Sequence, residues 1–196
     1  MADEHLVERQ LSTQKVHSGH FLQVYRDTVA LPDGDTASRE YIVHPGAVMI
    51  IPLIESPDGQ LRVVLERQYR YPVGRVMIEF PAGKLDPGED VLACAQRELR
   101  EETGYSAALW ARAGQMHPVI AYSTEFIDIW FAKDLQLGQQ TLDRGEFLEV
   151  FTATVDQLLQ WCRSGDVTDA KTLAGALWLQ NLVAGGWDLN WQRVQG

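Results

Sequence analysis

Residues 83–105 read GKLDPGEDVLACAQRELREETGY, and the spacing within this run decides the fold of the chain. Gly88-Glu89-Asp90 supplies an acidic start that suits a helix N-terminus, and Gly104 can take the left-handed position just past the end, so the run predicts a helix over residues 90–103. Leu92, Ala95 and Leu99 recur at i, i+3 and i+7, which sends that face to the core. The acids Asp86, Glu89, Asp90, Glu98, Glu101 and Glu102 stand against only Lys84, Arg97 and Arg100. At about 100° per residue, Glu98 and Glu102 share one helix face, with Glu101 beside them. Like charges at this spacing cost an isolated helix roughly 0.2–0.5 kcal/mol per pair. A hard divalent cation reverses that sign, and the turn Pro81-Ala82-Gly83 lets a backbone carbonyl approach the same ion. The alternative is a solvated acidic face paired with arginines.

Working outward, residues 76–80 form a short strand leading into the Gly83 loop. Upstream, LRVVLERQYRY and the continuous apolar run AVMIIPLI read as strands, the latter suited to burial on both faces. Before the break at His44-Pro45-Gly46, FLQVYRDTVAL, the turn Pro32-Asp33-Gly34 and ASREYIVH describe a small antiparallel sheet. Downstream, strands are expected around Val119-Ile120, over residues 126–132 and at FLEVFTA. Thr154, with Gln157 three residues on, opens a further helix, and a last helix spans about residues 169–184. The sequence therefore divides into an N-terminal β subdomain, residues 1–45, and an α/β domain, residues 46–196, with a mixed sheet.

Composition narrows the function classes. A net charge of −10 argues against nucleic-acid binding, and it would repel a phosphate-bearing substrate unless cations intervene. Cys94 and Cys162 have no C-x-x-C spacing, so neither a zinc site nor a disulfide framework is indicated. The acidic, polar start MADEHLVERQ is unlike a signal peptide, and no apolar run approaches the ~18 residues of a membrane span. The expectation is a cytoplasmic protein.

Residues 83–105 resemble the Nudix box, G-x5-E-x7-R-E-U-x-E-E-x-G-U with U a bulky apolar residue. Gly83, Glu89, Arg97, Glu98, Leu99, Glu101, Glu102, Gly104 and Tyr105 match position for position. The fixed residues alone would coincide on the order of once in 10⁸ starting positions, so chance is no explanation. The resemblance implies an α/β/α sandwich and hydrolysis of a nucleoside diphosphate linked to another group, by water that Mg²⁺ (or Mn²⁺) activates. It further implies that Glu98 and Glu102 ligate the metal together with the Ala82 carbonyl, that Glu101 is a further ligand or holds a metal-bound water, and that Gly83, Glu89, Arg97 and Gly104 are structural.

Three stretches outside the box are similar to the ADP-ribose and nucleotide-sugar pyrophosphatase branch: QYRYPVGRVMIEFPAGKLD, SREYIVHPGAV and DRGEFLEV. On these matches Arg70 and Arg39 are substrate contacts, and Glu146 is the catalytic base or an additional ligand. Where that branch commonly shows S-P-G and an acid, this chain has HPVIAYSTE, with Glu125 as the candidate acid touching substrate. Tyr25 or Tyr41 is the candidate to hold the base. The implied reaction is ADP-ribose to AMP and ribose 5-phosphate. The rivals are a nucleotide sugar such as GDP-mannose or ADP-glucose as substrate and, from another class, a nucleotide-sensing module without catalysis. The branch also implies a homodimer formed through the N-terminal sheet.

Overall fold

The computed structural model describes residues 3–56 and 59–194, which fall into two compact units. The first comprises Met1–Gly46 with His117–Phe126, and the second comprises Ala47–Met116 with Ile127–Gly196.

In the first unit β1 (Arg9–Ser18), β2 (Gln23–Ala30) and β3 (Thr36–Val43) form an antiparallel sheet in that order. Residues 117–126 attach to its end, Ile42 N–H donating to Tyr122 O at 2.9 Å and Thr124 N–H to Ile42 O at 2.9 Å. The strand expected around Val119-Ile120 is absent: both residues lie in a turn, closed by Tyr122 N–H to Val119 O at 3.1 Å. Two adjacent β-branched residues suggest a strand, but a turn can expose them, and Ile120 is almost wholly in solvent.

The second unit is built on β4 (Ala47–Glu55), β5 (Leu61–Arg70), β6 (Arg75–Glu79), β7 (Ala82–Lys84), β8 (Tyr105–Met116), β9 (Ile127–Leu137), β10 (Leu148–Thr154) and β11 (Gln192–Arg193). Their main path is β10-β5-β4-β9-β8-β11, with β6 on β5 and β7 on β4. Only β4 and β9 run parallel, so the sheet is mixed. Its 12-residue strand β8 was missed by sequence reading, because ALWARAGQM has no clean alternation and sits directly after a helix end. Both its neighbours are in the sheet, and pairing with β9 supplies what its pattern lacks.

Alternation along β4 explains why its run is wholly apolar. Ala47, Met49, Ile51 and Leu53 enter one core, shared with α2 (Val155–Ser164) and α3 (Ala170–Val183) through Leu158, Ala176 and Leu179. Val48 and Ile50 enter the other, shared with α1 (Val91–Thr103) through Cys94, Ala95 and Leu99. Helices therefore cover both faces, which is an α/β/α sandwich. α1 begins at Asp90, whose carboxylate accepts from the Leu92 and Ala93 N–H groups, and ends at Gly104 in the left-handed region (φ 76°).

Candidate active site

The loop and β7 deliver a short backbone segment directly beneath the acidic face of α1. Glu98 and Gly83 fit together because glycine has no side chain: a Cβ at Gly83 would overlap the Glu98 carboxylate. Glu102 is only 3 % exposed, and its Oε2 accepts from the Ala82 N–H at 2.9 Å. Arg97 holds the loop to the helix. It donates from Nε and Nη2 to the two oxygens of Glu89, both at 2.8 Å, and from Nη2 to the Lys84 carbonyl at 3.1 Å. Its Nη1 turns the other way, to Glu98 at 2.7 Å and Glu101 at 3.1 Å.

These surroundings set opposite protonation tendencies. The Arg97 bidentate pair holds the Glu89 carboxyl down at about 2. Burial pushes Glu98 and Glu102 up, Glu102 well up, with Glu66, Glu98 and Glu146 adding repulsion at Glu102. Cys94, on the core face of the same helix, has its thiol pushed up by burial, which favours the neutral thiol form.

The remaining sequence candidates divide between the units. Glu146 lies in the loop before β10, accepts a long 3.4 Å hydrogen bond from Gln68 Nε2, and adds repulsion to both Glu98 and Glu102. Arg70, at the end of β5, is engaged by Glu79 through Nε at 2.7 Å and Nη2 at 2.8 Å. Arg39 and Glu125 belong to the first unit. Arg39 forms a two-pronged pair with Glu8, and Glu125 sits 3.9 Å from His44 Nε2. Tyr25 and Tyr41 are cross-strand partners there, their rings stacked with centroids 6.1 Å apart.

Sequence reasoning overlooked Glu66, Gln68, Glu79 and Lys171. Glu66 and Glu79 are paired across β5 and β6, at 0 % and 2 % exposure, and Lys171 reaches Glu79 from α3. One signal was available, a charge at the end of the apolar run LRVVLE, but only the strand pairing shows what it faces.

The donor set suits a hard divalent ion: carboxylate and backbone oxygens, with no thiolate or imidazole among them. Among the described residues no three acidic, histidine or cysteine side chains already converge to enclose an ion.

The NUDIX domain family matches residues 43–176, more than half of the chain. The chain belongs to the Nudix family. Residues 8–42 match the nucleoside diphosphate sugar hydrolase N-terminal domain that accompanies it. Among relatives of this Nudix protein, a methanol dehydrogenase activator of Bacillus methanolicus is 35 % identical over 181 residues, covering 88 % of this chain and 92 % of its own. An ADP-ribose pyrophosphatase of Bacillus subtilis is 33 % identical over 177 residues (89 % and 94 %). Another, of Mycobacterium tuberculosis, is 34 % identical over 178 residues (89 % and 84 %). The Nudix fold is also seen in the crystal structure of an ADP compounds hydrolase, with a TM-score of 0.81 at 22 % identity, covering 92 % of this chain and 96 % of that one.

Proposed function

We propose that this Nudix enzyme hydrolyses the pyrophosphate of ADP-ribose to AMP and ribose 5-phosphate. The observation that carries the reading is the intact box, with Glu98 seated on Gly83 and Glu102 buried against Ala82. It is supported by relatives named ADP-ribose pyrophosphatase that match over most of this chain and of their own.

In this reading Glu98, Glu101, Glu102 and the Ala82 carbonyl hold the divalent cation, Mg²⁺ with Mn²⁺ as a substitute. When bound, the cation supplies positive charge against the pyrophosphate and acidifies the attacking water. Glu146, steadied by Gln68, takes the proton from that water. Arg97 and Glu89 keep the loop and helix in register throughout. Arg70 contacts the phosphates once its fork is released in part from Glu79.

The first unit doubles as a dimerisation element, giving a homodimer. All ten residues of β1 are exposed, with Leu11 and Val16 among them, and a long exposed edge strand of this kind calls for a partner. Free Cys94 and Cys162 fit a reducing, cytoplasmic compartment. No helix among the described residues is long and apolar enough to cross a membrane.

The test is a panel of ADP-ribose, ADP-glucose and GDP-mannose at equal concentration with Mg²⁺. ADP-ribose should be turned over fastest. A clear preference for GDP-mannose would replace the substrate while keeping the chemistry.

A further inference from the structure

The C-terminal end of α1 is closed by a segment distant in sequence. Carbonyls at a helix C-terminus have no partner within the helix and form its partially negative end. Here the segment that follows β9 meets three of them. Thr141 N–H donates to Glu101 O at 3.0 Å, Gln140 Nε2 donates to Glu102 O, and Gly138 N–H donates to Gly104 O at 2.8 Å. The approach is close: a Cβ at Gly104 would stand 3.0 Å from Gln140 N and 3.3 Å from Gly138 O. The crossing backbone, as well as the left-handed angle, therefore favours glycine at this position of the box.

The segment so fastened leads to Glu146, five residues beyond Thr141. Between them residues 143–145 are exposed, and Glu146 N–H closes a turn onto Asp143 O at 3.0 Å. Beyond it Leu148 pairs with Gln68 of β5, whose Nε2 reaches Glu146 only at 3.4 Å. One long hydrogen bond restrains a carboxylate weakly. The clamp at 138–141 supplies a second restraint, and it grips the main chain of Glu101 and Glu102, whose side chains are assigned to the cation. Two of its donors are backbone N–H groups, and Gln140 contributes the side chain.

We propose that Gln140 is a positioning residue for the hydrolysis: with the Gly138 and Thr141 N–H groups, its carboxamide locks the segment that carries Glu146 to the C-terminal turn of α1. This rests on the reading of Glu146 as the base and adds the means by which that base is held. α1 then sets the place of its own carboxylates and, through Gln140, that of the loop. A misplacement of about 1 Å at a reacting group can cost on the order of 100-fold in rate, so a restraint of this kind matters to kcat.

The experiment is a double-mutant cycle of Gln140→Met and Glu146→Gln in the full-length chain, assayed with Mg²⁺ on the fastest substrate of the panel above. Methionine is close to glutamine in length and lacks its N–H donors. Gln140→Met should lower kcat at least about tenfold while KM stays within about twofold. In the Glu146→Gln background the same change should alter kcat by no more than about twofold, because the group it positions is already gone. Without metal or substrate, hydrogen exchange over residues 138–147 should be faster in Gln140→Met than in wild type. Should Gln140→Met not fold, Gln140→Ser carries the same expectations. Wild-type kcat in the Gln140 variant, equal losses in both backgrounds, or loop exchange as slow as in wild type would overturn the proposal and leave the reading of Glu146 standing. Unchanged kcat in Glu146→Gln would overturn both.

Discussion

Two side chains show how local chemistry fixes the site. Glu102 is buried and bonded to a backbone N–H, so Glu102→Gln keeps the shape and removes only the charge. Its kcat should fall by several orders of magnitude with the circular dichroism spectrum and melting temperature preserved; activity within tenfold of the parent would contradict its role. Gly83 makes the complementary point. Gly83→Ala places a methyl where the Glu98 carboxylate sits, and that carboxylate is the movable end of a flexible side chain. The fold should therefore survive while divalent-metal affinity, measured by calorimetry, drops about 10–100-fold. Unchanged affinity would mean that Glu98 can bind the ion from another rotamer.

At the scale of elements, the Arg97–Glu89 ion pair helps tie α1 to its loop. Glu89 has its carboxyl lowered to about 2 by Arg97, so the folded state prefers it charged. That stabilisation is fully present above the ordinary glutamate range near 4.5 and is lost as pH falls through about 2. Glu89→Gln should accordingly be less stable than wild type at pH 7, with the gap closing between about pH 4.5 and 2 in urea unfolding. A gap independent of pH would show that the pair is not the cause. α2 offers a simpler case, since Thr154 accepts from the Gln157 N–H at 3.1 Å. Thr154→Ala should cost about 1 kcal/mol in the same assay.

Elements with end signals were legible in the sequence for physical reasons. Asp90, Gly104, Thr154 and Gly165 mark helix ends through hydrogen bonds and backbone angles that are local in the chain. The run AVMIIPLI announced a strand buried on both sides because it is short, rich in β-branched residues and set off by Gly46 before it and a turn after it. β8 was not legible, because its stability comes from pairing with β9 and not from its own pattern. The same division holds at the site. Glu98, Glu101 and Glu102 are spaced along one helix and could be read together, whereas the placing of Glu66 opposite Glu79 exists only once β5 and β6 pair.

For the molecule as a whole, the excess of acid is the governing fact. A net charge of −10 and a carboxylate-lined site would repel a pyrophosphate, so cations must mediate the encounter. The open strand β1 makes a second demand at this scale. Light scattering at micromolar concentration should give about twice the 22.1 kDa chain mass, and the monomer mass would contradict the dimer. The central claim concerns which bond is broken, and ³¹P NMR of ADP-ribose with the protein and Mg²⁺ tests it most directly. The two pyrophosphate resonances should be replaced by those of two phosphate monoesters, AMP and ribose 5-phosphate. Pyrophosphate resonances that persist at stoichiometric protein, or that move to those of ADP, would contradict it.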